Sequence, residues 1–261
     1  MSDITTEVIK EVVKDVYADA GKPIAKPTGE LIGILPRAIK AALLPIEKWV
    51  ISREYNLAAI QKILETKLKN IPPDQIESPE PYIAIPALQY ISYCMDNEGL
   101  RNMYANLLAN SMNKVVKNGV HPSFVEIIKQ MCPDEAKLLS FIMHDDVFPV
   151  ISLRNESKDG GFYVLRKFTN FTEFAKCEHP YEVEKYVNNL ERLGLIETIN
   201  NYVLHGISDY YEMENHPFIK EKMELSNELK EKGYTCKIEY GTYFVTQFGK
   251  AFSSICINHK Q

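Results

Sequence analysis

The chain has 261 residues, with 30 Lys or Arg against 35 Asp or Glu, for a formal net charge of −5. With 45% apolar residues and a mean hydropathy of −0.22, the composition is that of an ordinary globular protein; it excludes a disordered tail, a collagen-like repeat and a multi-span membrane protein. The length suits one or two domains, and the mild acidity argues against bulk nucleic-acid binding, which needs a basic face.

Charge is unevenly spread. Residues 22–69 carry nine bases and four acids, while residues 134–261 carry 15 bases and 20 acids, so one basic, apolar-rich segment sits in an acidic protein. The five cysteines, Cys94, Cys132, Cys177, Cys236 and Cys256, are scattered and form no CxxC pair. They read as reduced thiols of a cytoplasmic protein. The opening run MSDITTEVIKEVVKD is charged every few residues and lacks a signal peptide's apolar stretch. The nearest approach to a membrane span, residues 31–51, is broken by Pro36 and Pro45 and carries Arg37, Lys40, Glu47 and Lys48.

Up to Pro133 the chain reads as helical. Ile4, Val8, Val12 and Val16 recur at helical spacing over 4–17, and Gly21 and Pro23 end that helix. A second helical region spans 38–69, with Leu57, Ile60, Leu64 and Leu68 on one face and Asn70-Ile71-Pro72-Pro73 as its stop. Ser78-Pro79 reads as an N-cap and first-turn proline for a helix carrying Leu88, Ile91, Cys94 and Met95, with Pro86 kinking it or delaying its start. Asn97 then caps a helix whose seam runs Leu100, Met103, Tyr104, Leu107, Leu108, Ser111 and Val115. His121-Pro122-Ser123 opens a short helix.

After Pro133 strands enter. Asp134 reads as the cap of a helix bearing Leu138, Leu139, Ile142 and Met143. VFPVISLR and GFYVLRKF read as a hairpin. A helix over FTEFAKCE follows, then one over residues 181–194 with Val183, Val187, Leu190 and Leu193 inward and Gly194 as its C-cap. LIETI and NYVLH read as strands, and 209–232 as a charged helical insertion. YTCKIEY and YFVTQF read as two strands about a Gly241-Thr242 turn, ahead of a closing helix over 249–257.

The run NNLERLGLIET, with YFVTQFGKAFSSICI further on, resembles the end of a winged-helix domain, where a helix finishes in Leu-Gly-Leu and the last strand ends in a Thr-x-x-Gly-Lys turn. Upstream, PDQIESPEPYIAIPALQYISYCMDNEGLRNMYANLLANSMNK followed by HPSFVEIIKQMCPDEAKLLSFI resembles the Abi-alpha (abortive infection alpha) family of bacterial proteins. That resemblance runs from about residue 21 to 257. It implies an antiphage role in which infected cells stop growing or die, and it brings no catalytic motif with it. One departure is Tyr104, where the resemblance leads one to expect tryptophan.

The expected fold is therefore α+β and mostly α, with an N-terminal helical domain over 1–132 and a winged-helix-like domain over 133–261. The expected function is antiphage defence by a non-enzymatic interaction module, its partner a phage or host protein, with self-association through the seam helix. The reading helix of the winged domain carries Lys185 and Arg192 against Glu182, Glu184 and Glu191, a poor match to a phosphate field. Binding of DNA by a transcriptional regulator is thus one alternative, and a membrane-perturbing effector using the basic segment 31–53 is the other. The hairpin over 154–167 is the exception, since Arg154, Lys158, Arg166 and Lys167 outnumber Glu156 and Asp159.

In the basic segment, Arg37, Lys40, Lys48, Trp49 and Arg53 suit either internal or oligomer packing with lysines snorkelling outward, or contact with an anionic membrane surface at the inner face. The candidate interaction residues are these five with Arg154, Arg166 and Lys167. Cys177-Glu178-His179 offers two ligand types one residue apart but has no second pair, and His144-Asp145-Asp146 sits where a helix ends. No GxSxG, Walker A, GxGxxG or HExxH motif occurs, so no catalytic residue, cofactor, metal or small-molecule substrate is expected.

Overall fold

A computed structural model describes residues 57–200 and 208–257. The expected helix over 4–17, the first part of the 38–69 region with Arg37, Lys40, Lys48, Trp49 and Arg53, and the expected strand NYVLH lie outside the described residues. Those described are mixed helix and antiparallel sheet. They fall into two compact units, one of residues 57–129 with 255–257, the other of 130–200 with 208–254.

The first unit is helical. Helix α1 (Leu57–Leu68) buries the i, i+4, i+8 face of Ile60, Leu64 and Leu68. Helix α2 (Pro81–Ile91) begins two residues later than Ser78-Pro79 suggests, because extended Glu80 is its N-cap and Pro81 takes the first helical position. It runs through Pro86, whose ring nitrogen has no hydrogen to give the carbonyl of Tyr82, a residue on the exposed side of the helix. Cys94 and Met95 lie beyond its end.

Helix α3 (Glu98–Ser111) starts as expected: Asn97 Oδ1 accepts from Leu100 N at 3.0 Å. The seam from Leu100 to Ser111 is buried, but Val115 is 69% exposed. The helix stops short because the next residues pair elsewhere. Ile76 bridges Asn113, Glu77 N donates to Met112 O, and Lys114 N donates to Gln75 O, both at 2.9 Å. Helix α4 (Ser123–Lys129) is opened by His121, whose Nδ1 accepts from Ser123 N at 3.2 Å.

The second unit begins with α5 (Pro133–Ile142), then strands β1 (Val147–Ser157) and β2 (Gly160–Phe168), the short α6 (Phe171–Phe174) and α7 (Val183–Arg192). Strand β3 (Ile196–Asn200), helices α8 (Ser208–Glu214) and α9 (Pro217–Asn227), strand β4 (Thr235–Val245) and helix α10 (Gln247–Cys256) up to residue 254 complete it. The strands form an antiparallel sheet in the order β2-β1-β4-β3.

Two expectations are corrected here. The helix over FTEFAKCE is a single turn, followed by Lys176 in the left-handed region at φ 55°. The two strands about Gly241-Thr242 are one continuous strand, β4. It is held open by β1, which pairs with it residue by residue from Val147↔Phe244 to Glu156↔Thr235. Tyr210 on α8 caps the point where a turn was expected, donating its hydroxyl to Gly241 O at 2.6 Å and lying 3.3 Å from Thr242 Oγ1.

Val183, Val187 and Leu190 of α7 are fully buried, and Gly194 ends the helix at φ 74°, a left-handed C-cap. The Thr246-x-x-Gly249 turn works as a clasp: Thr246 Oγ1 donates to Gly194 O at 2.6 Å and accepts from Gly249 N at 2.8 Å. Only glycine fits at 249, where a Cβ would lie 2.1 Å from Leu195 O.

One position in this sheet works against stability. Asn155 on β1 is fully buried, and neither end of its amide finds a partner. A buried amide without hydrogen bonds costs about 1–3 kcal/mol. Asn155→Val, with a β-branched apolar side chain suited to a strand, is expected to stabilise the protein by about 1 kcal/mol and raise Tm by about 2–4 °C in thermal unfolding. A lower Tm would show that the amide is satisfied in solution.

Candidate interaction surfaces

The basic hairpin is largely answered from within. Arg154 Nη1 lies 3.5 Å from Glu239 Oε1, and its Nε lies 3.7 Å from Glu156 Oε1. The Arg154 and Arg166 guanidinium groups both lie over the Tyr163 ring, at 5.2 and 4.4 Å, and Tyr163 donates its hydroxyl to Glu239 at 2.8 Å. Lys237 pairs with Glu156 at 2.6 Å. Lys167 is bound most tightly. Its Nζ pairs with Glu191 and donates to Asn188 Oδ1 at 3.1 Å, while its carbonyl accepts from Tyr243 OH at 2.9 Å. Its left-handed backbone, at φ 57°, is held by these contacts.

Helix α7 is spent in the same way. Lys185 pairs with Glu182. Arg192 donates to Asn189 Oδ1 and to Gln130 Oε1, the latter at 2.9 Å. Asn189 Nδ2 donates to Gln130 O and Glu135 Oε2, each at 2.9 Å. The side chains that could read a base edge therefore have partners inside the unit.

Asp134, expected to cap its own helix, performs a longer-range task. The N-cap of α5 is Cys132, whose N–H is received by Glu135 Oε2 at 2.7 Å. Asp134 is 4% exposed, and its carboxylate faces chain more than 40 residues away. It accepts from Glu178 N at 2.8 Å, His179 N at 2.9 Å, Tyr186 OH at 3.1 Å and Lys137 Nζ at 3.0 Å. Burial pushes its pKa up, but the two main-chain donors, Lys137 and Tyr186 outweigh this and hold it at about 2.

Next to it, Cys177 Sγ donates to Asp134 O at 3.4 Å, and burial followed by the Asp134 charge pushes that thiol up to about 11. Burial likewise raises Cys132. Both thiols stay protonated at neutral pH, which makes them poor nucleophiles and poor metal ligands. His179 is used here through its main chain. Beyond α5, Asp146 pairs with Lys250 at 2.7 Å, so His144-Asp145-Asp146 includes a structural ion pair. Among the described residues no group of three or more His, Cys, Asp or Glu is placed to hold a metal ion, and no helix is long and apolar enough to cross a membrane.

What this unit does present is aromatic. Phe174 and Phe141 are 55% and 38% exposed, with ring centroids 6.3 Å apart. Phe171 lies 5.6 Å from Phe141 and 5.5 Å from the buried Phe148, so the surface pair is backed by rings that reach the core. Nearby, Tyr181 stacks on Phe218 at 4.4 Å, and His216 Nε2 lies 3.1 Å from Glu173 Oε2. The Phe171-x-x-Phe174 spacing is visible in the sequence, but its junction with Phe141 is not. In the first unit, a shallow cavity of about 310 Å³ is lined mainly by exposed polar groups, among them Ser78, Glu80 and Asn118; Lys117 in its wall pairs with Glu77.

Fold and surfaces together describe a helix-rich protein with an antiparallel sheet, in whose described sheet unit Arg154, Lys167, Lys185 and Lys237 are held by its own carboxylates. The family model Abortive infection alpha matches residues 52–256, and the chain belongs to that family. A solved structure titled as the uncharacterized protein from the hydrocarbon-degrading marine bacterium Alcanivorax borkumensis SK2 is similar at 20% identity, covering 51% of this chain and 90% of that one with a TM-score of 0.37. No curated protein matches.

The Asp134 carboxylate is ionised more easily in the folded protein than in an unfolded chain, where the ordinary pKa is about 3.9. Its contribution is therefore complete above pH ~4 and is withdrawn as pH falls from there towards 2. Asp134→Asn is expected to cost about 2–4 kcal/mol at pH 7. Urea unfolding at a series of pH values should show that deficit shrinking as the wild type is acidified. A deficit that stays constant down to pH 2 would contradict the assignment.

Proposed function

We propose that this member of the abortive infection alpha family defends bacteria against phage by binding a protein partner, without transforming a substrate. Family membership supports the antiphage part. The observation that carries the binding part is the Phe141–Phe174 surface in a unit whose hairpin cations Arg154 and Lys167 are paired internally. Partly exposed aromatic rings backed by a rigid core are the usual anchors of protein–protein contacts. On the face of α7 and the end of β2, a polyanion would have to break Lys167–Glu191, Lys185–Glu182 and the Arg192 contacts to engage those cations.

We read the second unit as a winged-helix variant. The order α5, β1, α6, α7, β3, β4, α10, with β4 lying between β1 and β3, supports this reading. The β2 arm of the hairpin and the α8–α9 pair are then additions. Such a domain binds proteins as readily as nucleic acids, so its name alone assigns no partner. In this reading the protein works in the cytoplasm, with no cofactor.

Phe141→Ser with Phe174→Ser tests the proposal, since both side chains are partly exposed and their loss leaves the core intact. Expression of the wild type is expected to lower phage plating. The double variant is expected to retain the wild-type circular dichroism spectrum and lose that protection, in line with about 30-fold weaker partner binding when about 2 kcal/mol of contact is removed. Full protection by the folded double variant would refute it.

A further inference from the structure

The end of α10 is received in the first unit by two buried amides. Asn106 Nδ2 donates to Cys256 O at 2.9 Å and to Ile257 O at 3.2 Å, and Asn110 Nδ2 donates to Ile255 O at 2.7 Å. The last carbonyls of any helix lack donors within it. Here two side chains one turn apart on α3, and so on one face of it, supply them. Both asparagines are at least nine-tenths buried, Ile255 is 4% exposed, and the Cys256 side chain is fully buried. Gly119 sits against Ile255, where a Cβ would come within 3.5 Å of Ile255 Cδ1. Residue 254 and those before it in α10 belong to the second unit, so the described part of this attachment is residues 255–257 alone.

We propose that residues 255–257 form a latch, held closed in the first unit by Asn106 and Asn110, which opens locally while both units stay folded. Among the described residues the attachment comprises three hydrogen bonds to side-chain amides and two apolar side chains. Opening it strands nothing, because the three carbonyls and both amides all pass to water. Asn106 Oδ1, buried and without a partner in the closed state, gains a hydrogen bond on opening. Separating a strand of the sheet would instead break a whole ladder of main-chain pairs. Segments with few contacts open at free energies well below global unfolding. The open state exposes the Cys256 thiol and leaves two amide donors, spaced for helix carbonyls, free to receive the end of another helix.

Cys256 reports the latch directly. Full-length protein is treated with N-ethylmaleimide under native conditions across a urea series below the unfolding transition. Modification at each cysteine is read by peptide mass spectrometry, and global unfolding by circular dichroism. The latch predicts that Cys256 reacts at a rate nearly independent of urea. It also predicts that Asn110→Ala raises that rate about tenfold, the worth of one such hydrogen bond, with little change in the unfolding midpoint. Labelling of Cys256 that accelerates with urea along the full slope of global unfolding would overturn the proposal. So would a folded Asn110→Ala variant with an unchanged rate. Should that variant fail to fold, the urea slope of the wild type decides alone.

Discussion

A carboxylate removed from water keeps its charge only if donors surround it, and around Asp134 they come from three places in the chain. Lys137 comes from the next turn of α5, the Glu178 and His179 amides from the loop after α6, and the Tyr186 hydroxyl from α7. The same anion thus fixes where α7 starts and how the loop before it returns to α5. The Tyr186 hydroxyl also lies 3.2 Å from His179 O, so its one hydrogen points into the space between the carboxylate and the loop carbonyl. Helix α7, once placed, supplies Glu191 and Asn188 to Lys167 at the end of β2. The sheet and its flanking helix are thereby tied through one buried charge.

That economy shapes what the surface has left to offer. Carboxylates on α7 and β4 take up Lys167, Arg154 and the Arg166 main chain, and Asn189 and Gln130 take up Arg192. Individually, exposed pairs of this kind contribute little to stability. Together they occupy the charged groups of Arg154, Lys167 and Arg192 within the unit. Aromatic rings on the same unit have no such internal claim on their exposed faces, and the proposed binding role follows from that contrast.

Local patterns in the sequence were sound guides wherever the answer is local. The i, i+4 spacing of Ile60, Leu64 and Leu68, the Asn97 cap, the His121-Pro122-Ser123 start and Gly194 as a C-cap all depend on neighbours within a turn or two, and the structure places them as the spacing predicts. The misreadings have distant causes. Gly241-Thr242 has the composition of a turn, yet pairing with β1 and the Tyr210 hydroxyl 31 residues upstream keep β4 straight. Asp134 has the composition of an N-cap, yet its strongest donors lie 44 and 45 residues away. The seam of α3 ends early because Gln75 to Glu77 capture the chain that follows it.

The candidate surface was legible only in part, for the same reason. Arg154, Arg166 and Lys167 stood out because a hairpin rich in cations can be counted from sequence, but their partners cannot. Glu239 is 85 residues from Arg154, and Glu191 is 24 from Lys167. The Phe141–Phe174 junction likewise joins residues separated by a whole hairpin.

The central claim, that Arg154, Lys167, Lys185 and Arg192 of the hairpin and α7 are committed internally, is tested most directly by fluorescence anisotropy of labelled duplex DNA titrated with full-length protein at about 50 mM salt, where any electrostatic affinity is largest. The account predicts no saturable binding at micromolar protein. Saturable binding that weakens steeply as salt rises, and that is lost on changing Arg154 and Arg166 to Gln, would contradict it.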